Sequence, residues 1–230
     1  MKNNVIVLDL EVLNSPDWCK HCLQIPESHG HRNTPCKETF EKIGWRDYRL
    51  LGISIGCYYD YADDRYHYFD RRTLEATIHT FTKRQALMAS FNGKQFDFPL
   101  MAEVFEHWVD HLSTADSGEA LHKVSCYQLK HDFLRLAENS YDILDEIWKI
   151  DPANKFQKGN SLGAIAPLNG YGEKEMHGAH APDVWRQGRY AEVVEYCTGD
   201  VWKTKKLFEQ VCRGEAIKRP AGAVLLPIPN

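Results

Sequence analysis

The feature that most constrains this chain is a pair of acids inside an apolar strand. Residues 4–13, NVIVLDLEVL, are the Val, Ile and Leu run of a buried strand, interrupted only by Asp9 and Glu11. Strand side chains alternate with period two. Asp9 and Glu11 therefore share one face, and Leu8, Leu10 and Val12 the other. Two adjacent carboxylates on a buried face repel each other and lose hydration, which costs several kcal/mol when nothing compensates. A cation between them removes that cost; solvated acids at a strand end are the plainer alternative.

Two further groups of residues join this pair. In SFNGKQFDFP, residues 90–99, a buried strand ends at Asn92-Gly93, and Asp97 follows at the start of a helix, where an acid also serves as a cap. Near the end of the chain, Tyr196 and Asp200 stand four residues apart on a long helix expected over 188–213. That spacing puts a phenol and a carboxylate on one helix face, as a surface hydrogen-bonded pair would also require.

The rest of the chain gives these groups a setting. Residues 48–59 and 65–69 read as a strand hairpin, 73–83 as a helix capped by Thr73, and 86–92 as a buried strand. A helix is expected over 98–111, a polar loop over 113–123, a helical or mixed segment over 125–150 and a short helix after Asn160-Ser161. Strands first, then helices alternating with strands, favour a mixed sheet covered by helices. A length of 230 residues suits one large α/β domain, or one with a sizeable insertion.

Taken together, Asp9-Leu10-Glu11, Asn92 to Asp97, and Tyr196 to Asp200 resemble the three exonuclease motifs of the DnaQ-like superfamily in its tyrosine form, DEDDy. The run Asn92-Gly93-Lys94-Gln95-Phe96-Asp97-Phe98-Pro99 is most similar to the proofreading exonuclease domain of family B DNA polymerases. Ser161-Leu162-Gly163-Ala164-Ile165-Ala166, followed by Gly170, resembles a helix that precedes the last motif there. The resemblance covers roughly residues 4–212, apart from 14–46. Nothing resembles a polymerase domain, so a stand-alone member is expected.

The resemblance implies a ribonuclease-H-like α/β fold: a mixed five-stranded sheet flanked by helices, in a single exonuclease domain over 1–230 with an insertion at 14–46. It implies hydrolysis of phosphodiester bonds from 3′ ends, releasing nucleoside 5′-monophosphates. Asp9, Glu11, Asp97 and Asp200 would hold two Mg²⁺ or Mn²⁺ ions, with Asp9 bridging them. Four oxygen donors without histidine suit such hard cations. Tyr196 would orient the attacking water, and Asn92, Phe96 and Leu10 would contact the terminal nucleotide. Phe96 equally fits a place in the core. The expected substrate is a single-stranded or frayed 3′ end of DNA. RNA is the alternative, since nothing here reads a 2′-hydroxyl, and a non-catalytic nucleic-acid-binding adaptor of the same fold is the third reading.

Residues 14–46 stand apart, being polar and holding Cys19-x-x-Cys22, His29, His31 and Cys36. Those are the residue types of a structural zinc site, with free thiols on a loop as the alternative. The seven cysteines are an odd number, which speaks against a complete disulfide framework. The net charge of −4 excludes a protein that coats nucleic acid by charge alone, but not an enzyme whose metals meet the phosphates. The start of the chain does not read as a signal peptide, and no window approaches the ~18 apolar residues of a membrane span. A cytoplasmic protein is expected.

Overall fold

The computed structural model describes residues 4–23, 40–112, 117–154 and 159–229. Its order of elements begins with β1 (Val5–Val12), α1 (Lys20–Leu23), α2 (Tyr48–Leu51), β2 (Ile53–Asp60), β3 (Arg65–Phe69), α3 (Leu74–Arg84) and β4 (Leu87–Ser90). It continues through α4 (Asp97–Asp110), α5 (Ser117–Glu138), β5 (Tyr141–Asp142), α6 (Ile143–Ile150), α7 (Leu162–Leu168), α8 (Ala181–Arg186) and α9 (Tyr190–Cys212).

The five strands form one sheet in the order β3-β2-β1-β4-β5. β1 and β3 pair antiparallel to β2, whereas β1–β4 and β4–β5 are parallel. β1 is thus central and covered on both faces. Ile6, Leu8, Leu10 and Val12 pack with residues of α3, α4 and α5, including Phe81, Phe98, Phe105 and Phe133. Val5 and Val7 pack on the other side with Cys197, Val201 and Leu207 of α9 and with Ile165 of α7. Asp9 and Glu11 continue that second row, so the period-two pattern of β1 aims both acids toward α9.

Pairing slips once, at the carboxyl end of β1. Glu11 faces Ile55 and Val12 faces Ile53, leaving Ser54 as the additional residue. Its buried hydroxyl donates to the carbonyl of Glu11 at 2.9 Å. Gly56 in β2 has no room for a side chain, since a Cβ would stand 2.1 Å from the Phe69 ring atom Cζ.

Several elements differ from the sequence expectation. Residues 48–51 form a helical turn rather than the start of a strand; Gly52, with a φ of 59°, then redirects the chain into β2. Residues 117–123, expected as loop, belong to α5. Leu121 and Val124 are exposed there and Cys126 is the first buried apolar side chain, so this part of the helix has no apolar stripe to announce it. Thr73 stands at the N-terminus of α3, but its hydroxyl accepts from the backbone N–H of Asp70 instead of capping the helix.

The described parts of 14–46 are tied into the body of the protein. Trp18 and Ile43 are buried in the same core as β1 and α4. Ile43 N–H donates to the carbonyl of Trp18 at 3.0 Å, and Gly44 N–H to that of Pro16 at 2.9 Å. The Arg186 guanidinium lies over the Trp18 ring, 3.7 Å from its centre. Cys19 and Cys22 are buried; His29, His31 and Cys36 lie outside the described residues.

Candidate active site

Three separate elements bring the sequence-expected acids to one place. β1 supplies Asp9 and Glu11, the first turn of α4 supplies Asp97, and the middle of α9 supplies Asp200 and Tyr196. Glu11, Asp97, Asp200 and Tyr196 are buried, and Asp9 retains partial exposure. Carboxylate oxygens of Asp9 and Glu11 and the Cys197 sulfur lie within 4.8 Å of one another.

Their electrostatics are those of uncompensated acids. Burial pushes the Asp9 carboxyl well above its usual range, and Asp97, Asp200 and Glu11 push it further. Glu11 is raised likewise, by burial first and then by Asp200. Asp97 is raised to about 8, by burial and then by Asp142. Asp9 is the acid on which all three others act, which places it at the electrostatic centre.

One cation already answers part of this charge. Lys174, in the loop after α7, pairs with Asp200 Oδ2, and its Nζ also donates to the Tyr196 hydroxyl at 2.9 Å. The stem of Lys174 crosses Gly163 of α7, where an added Cβ would meet Lys174 Cδ at 3.2 Å. Burial opposes the Lys174 charge, but Asp200 and Asp9 hold its ammonium above the ordinary lysine range. Lys203, nearly buried, stands 3.9 Å from Asp200 Oδ1. That oxygen is itself buried and has no hydrogen-bond partner among the described residues.

An orphaned carboxylate oxygen beside three mutually repelling acids fits divalent cations held by oxygen ligands. Cys197 is a wall rather than a ligand for such a hard ion. Burial, then Asp9 and Glu11, hold it as a thiol, and its S–H donates to the Asp9 carbonyl at 3.5 Å.

Asp142 organises the turn that carries the middle motif. Its carboxylate accepts from the backbone N–H groups of Asn92 at 3.0 Å and Lys94 at 2.8 Å, and from the Ser90 hydroxyl at 3.3 Å. It also caps α6 through the N–H groups of Leu144 and Asp145. Asn92 takes a left-handed φ of 74°, a region Asn tolerates better than most residues. Gly93 admits no side chain, because a Cβ would stand 2.6 Å from Ser90 Cβ. The turn thereby delivers Asp97 to the acids and leaves Asn92 and Phe96 beside an open cleft. Leu10, by contrast, is buried in the core on the face of β1 opposite the acids.

Lys174, Cys197 and the role of Asp142 are what sequence reasoning did not supply. Asp142 is an acid among the apolar residues of SYDILDEIW, and Lys174 lies in a loop without periodicity.

A mixed sheet of this order, with acids gathered on its central strand and on the helices that flank it, is the ribonuclease-H-like architecture of DnaQ-like exonucleases. The chain belongs to the family described as "predicted 3′-5′ exonuclease related to the exonuclease domain of PolB", whose model matches residues 53–216. No curated protein and no solved structure was found to match the chain. Among the described residues, no helix is long and apolar enough to cross a membrane.

Proposed function

We propose that this protein removes nucleotides from the 3′ ends of DNA by two-metal hydrolysis, releasing nucleoside 5′-monophosphates. The observation that carries this reading is the convergence of Glu11, Asp97 and Asp200 on Asp9, four acids from three elements, with a buried oxygen of Asp200 that has no hydrogen-bond partner among the described residues. Asp9, Glu11, Asp97 and Asp200 would hold two Mg²⁺ or Mn²⁺ ions. Such ions, when bound, supply water activation and stabilisation of the leaving oxygen.

The chain's own groups do the rest. Tyr196 presents a phenol that stays protonated, since burial and then Asp200 hold its pKa far above the usual value. It can therefore donate a hydrogen bond and orient a water. Lys174 fixes that phenol and brings positive charge to the place where a phosphate would arrive. Asn92 and Phe96 would meet the terminal nucleotide, a reading supported by the partial exposure of both side chains.

Digestion of 3′- and 5′-labelled single- and double-stranded DNA and RNA, with Mg²⁺ or Mn²⁺ and with EDTA, tests the reading. Stepwise shortening from the 3′ end of DNA, stopped by EDTA, is expected. Binding without any shortening in either metal would make the chain a non-catalytic member, and faster loss of RNA would reassign the substrate.

A further inference from the structure

Next to the acids lies a second feature, a cleft of about 330 Å³ lined by Trp45, Arg46, Tyr48, Asn92, Gln95 and Phe96. Its size falls at the small end of ligand pockets, which run from about 300 to 1,000 Å³. One wall, Asn92 to Phe96, belongs to the middle motif. The other wall, Trp45 to Tyr48, precedes residue 53, where the family match begins.

The Trp45 to Tyr48 wall is aromatic and held in place. Trp45 is 51% exposed, a large apolar side chain left in solvent at the mouth of a polar site. The Trp45 and Tyr48 rings each make a T-shaped contact with Phe96, at centroid distances of 5.7 and 6.0 Å, while about half of the Trp45 surface stays open to solvent. Tyr48 donates its hydroxyl to the carbonyl of Gln95 at 3.2 Å and so bridges the walls. Behind them, Ile43 is buried in the main core. Arg46 is exposed, and among the described residues no carboxylate lies within ion-pairing distance of it.

A half-exposed indole beside an uncommitted guanidinium suits an unpaired nucleotide, the ring for its base and the charge for its phosphate. A base inside a duplex has both faces covered and cannot use such a wall. We propose that Trp45 and Arg46, braced by Tyr48, receive the unpaired nucleotide that precedes the scissile one, so that the site takes single-stranded or frayed 3′ ends. This rests on the exonuclease reading for the direction of the strand, but not for its binding.

Fluorescence anisotropy with a 5′-labelled single-stranded DNA in Ca²⁺, using the whole chain, tests it without turnover. Trp45→Ala is expected to weaken binding roughly 5- to 100-fold, the span for loss of one base–aromatic stack, and Trp45→Phe to restore most of it. Arg46→Ala is expected to weaken binding and to lower the salt slope by about 0.7, one phosphate contact on a single strand. Hydrolysis of the nitrophenyl ester of thymidine 5′-monophosphate in Mn²⁺, which lacks a preceding nucleotide, should be unchanged in both alanine variants. Wild-type affinity in Trp45→Ala and Arg46→Ala overturns the proposal. An equal loss on the ester also overturns it, because the wall would then act by shaping Asp97. Trp45-dependent binding in a chain that hydrolyses neither substrate would leave the wall standing and remove the exonuclease reading.

Discussion

The ammonium of Lys174 donates to the phenol of Tyr196 at 2.9 Å while pairing with Asp200, so one loop residue ties together the two side chains that α9 gives to the candidate site. Lys174→Ala is expected to lower turnover about 100-fold, the low end for groups that move or position a proton. It should also lower the melting temperature of the metal-free protein, because it removes positive charge from among buried acids. Steady-state rates and thermal melts in EDTA check both effects; an unchanged rate would take Lys174 out of the site.

Asp9→Ala is expected to act on stability in the opposite direction, and Asp200→Ala in the same direction. Each would remove an expected ligand and should abolish hydrolysis; Asp9→Ala relieves repulsion among the acids, whereas Asp200→Ala strands the ammonium groups of Lys174 and Lys203. Melting in EDTA should hold or rise in Asp9→Ala and fall in Asp200→Ala, while activity disappears in both. Wild-type turnover by either purified variant would refute the assignment.

Tyr196→Phe keeps the ring and loses only the hydroxyl. A residual rate reduced roughly 10- to 1000-fold is expected, since the phenol positions a water rather than activating it. Single-turnover measurements at saturating metal separate this from weakened metal binding, and an unchanged rate there would exclude Tyr196 from the mechanism.

The acids also set a dependence on pH. Asp97 is raised to about 8, and Asp9 and Glu11 also lie above their usual range. A carboxyl raised by folding binds more protons in the folded than in the unfolded chain. Its contribution to stability is therefore greatest at low pH and is lost as pH rises from about 4, the ordinary carboxylate value, through about 8. Relative to Asp97→Asn, metal-free wild type should lose melting temperature across that window, and saturating Mg²⁺ should flatten the slope. A metal-free difference that grows in favour of wild type with rising pH would contradict this.

Cys19, Cys22, Cys36 and His29 or His31 are expected to hold about one zinc per chain, which mild EDTA leaves in place while it removes the ions of the carboxylate site. Trp18 and Ile43 pack into the main core on either side of this stretch. Cys19→Ser with Cys22→Ser should therefore lower the melting temperature of the whole protein as well as its zinc content. Elemental analysis finding less than about a tenth of an equivalent in wild type would count against the site.

What could be read from the sequence followed from periodicity. The alternation of β1 placed Asp9 and Glu11 on one face, and i, i+4 spacing placed Tyr196 above Asp200. Asp97 was legible because a strand-ending Asn92-Gly93 precedes it. Residues 48–51 were misread because YRLL runs into the apolar strand that follows, and so short a segment fits a strand end as well as a helical turn. Lys174 was hidden because its partners come from an element more than twenty residues away, a relation that only the folded chain creates.

Asp142 binds the amides of Asn92 and Lys94 on one side and those of Leu144 and Asp145 on the other. The loop that presents Asp97 and the first turn of α6 consequently share a single acceptor, and neither can open without stranding a buried charge. Local fluctuations of these two segments are thereby merged into one cooperative event, and the turn that carries Asn92 inherits the rigidity of the sheet edge to which it is fastened.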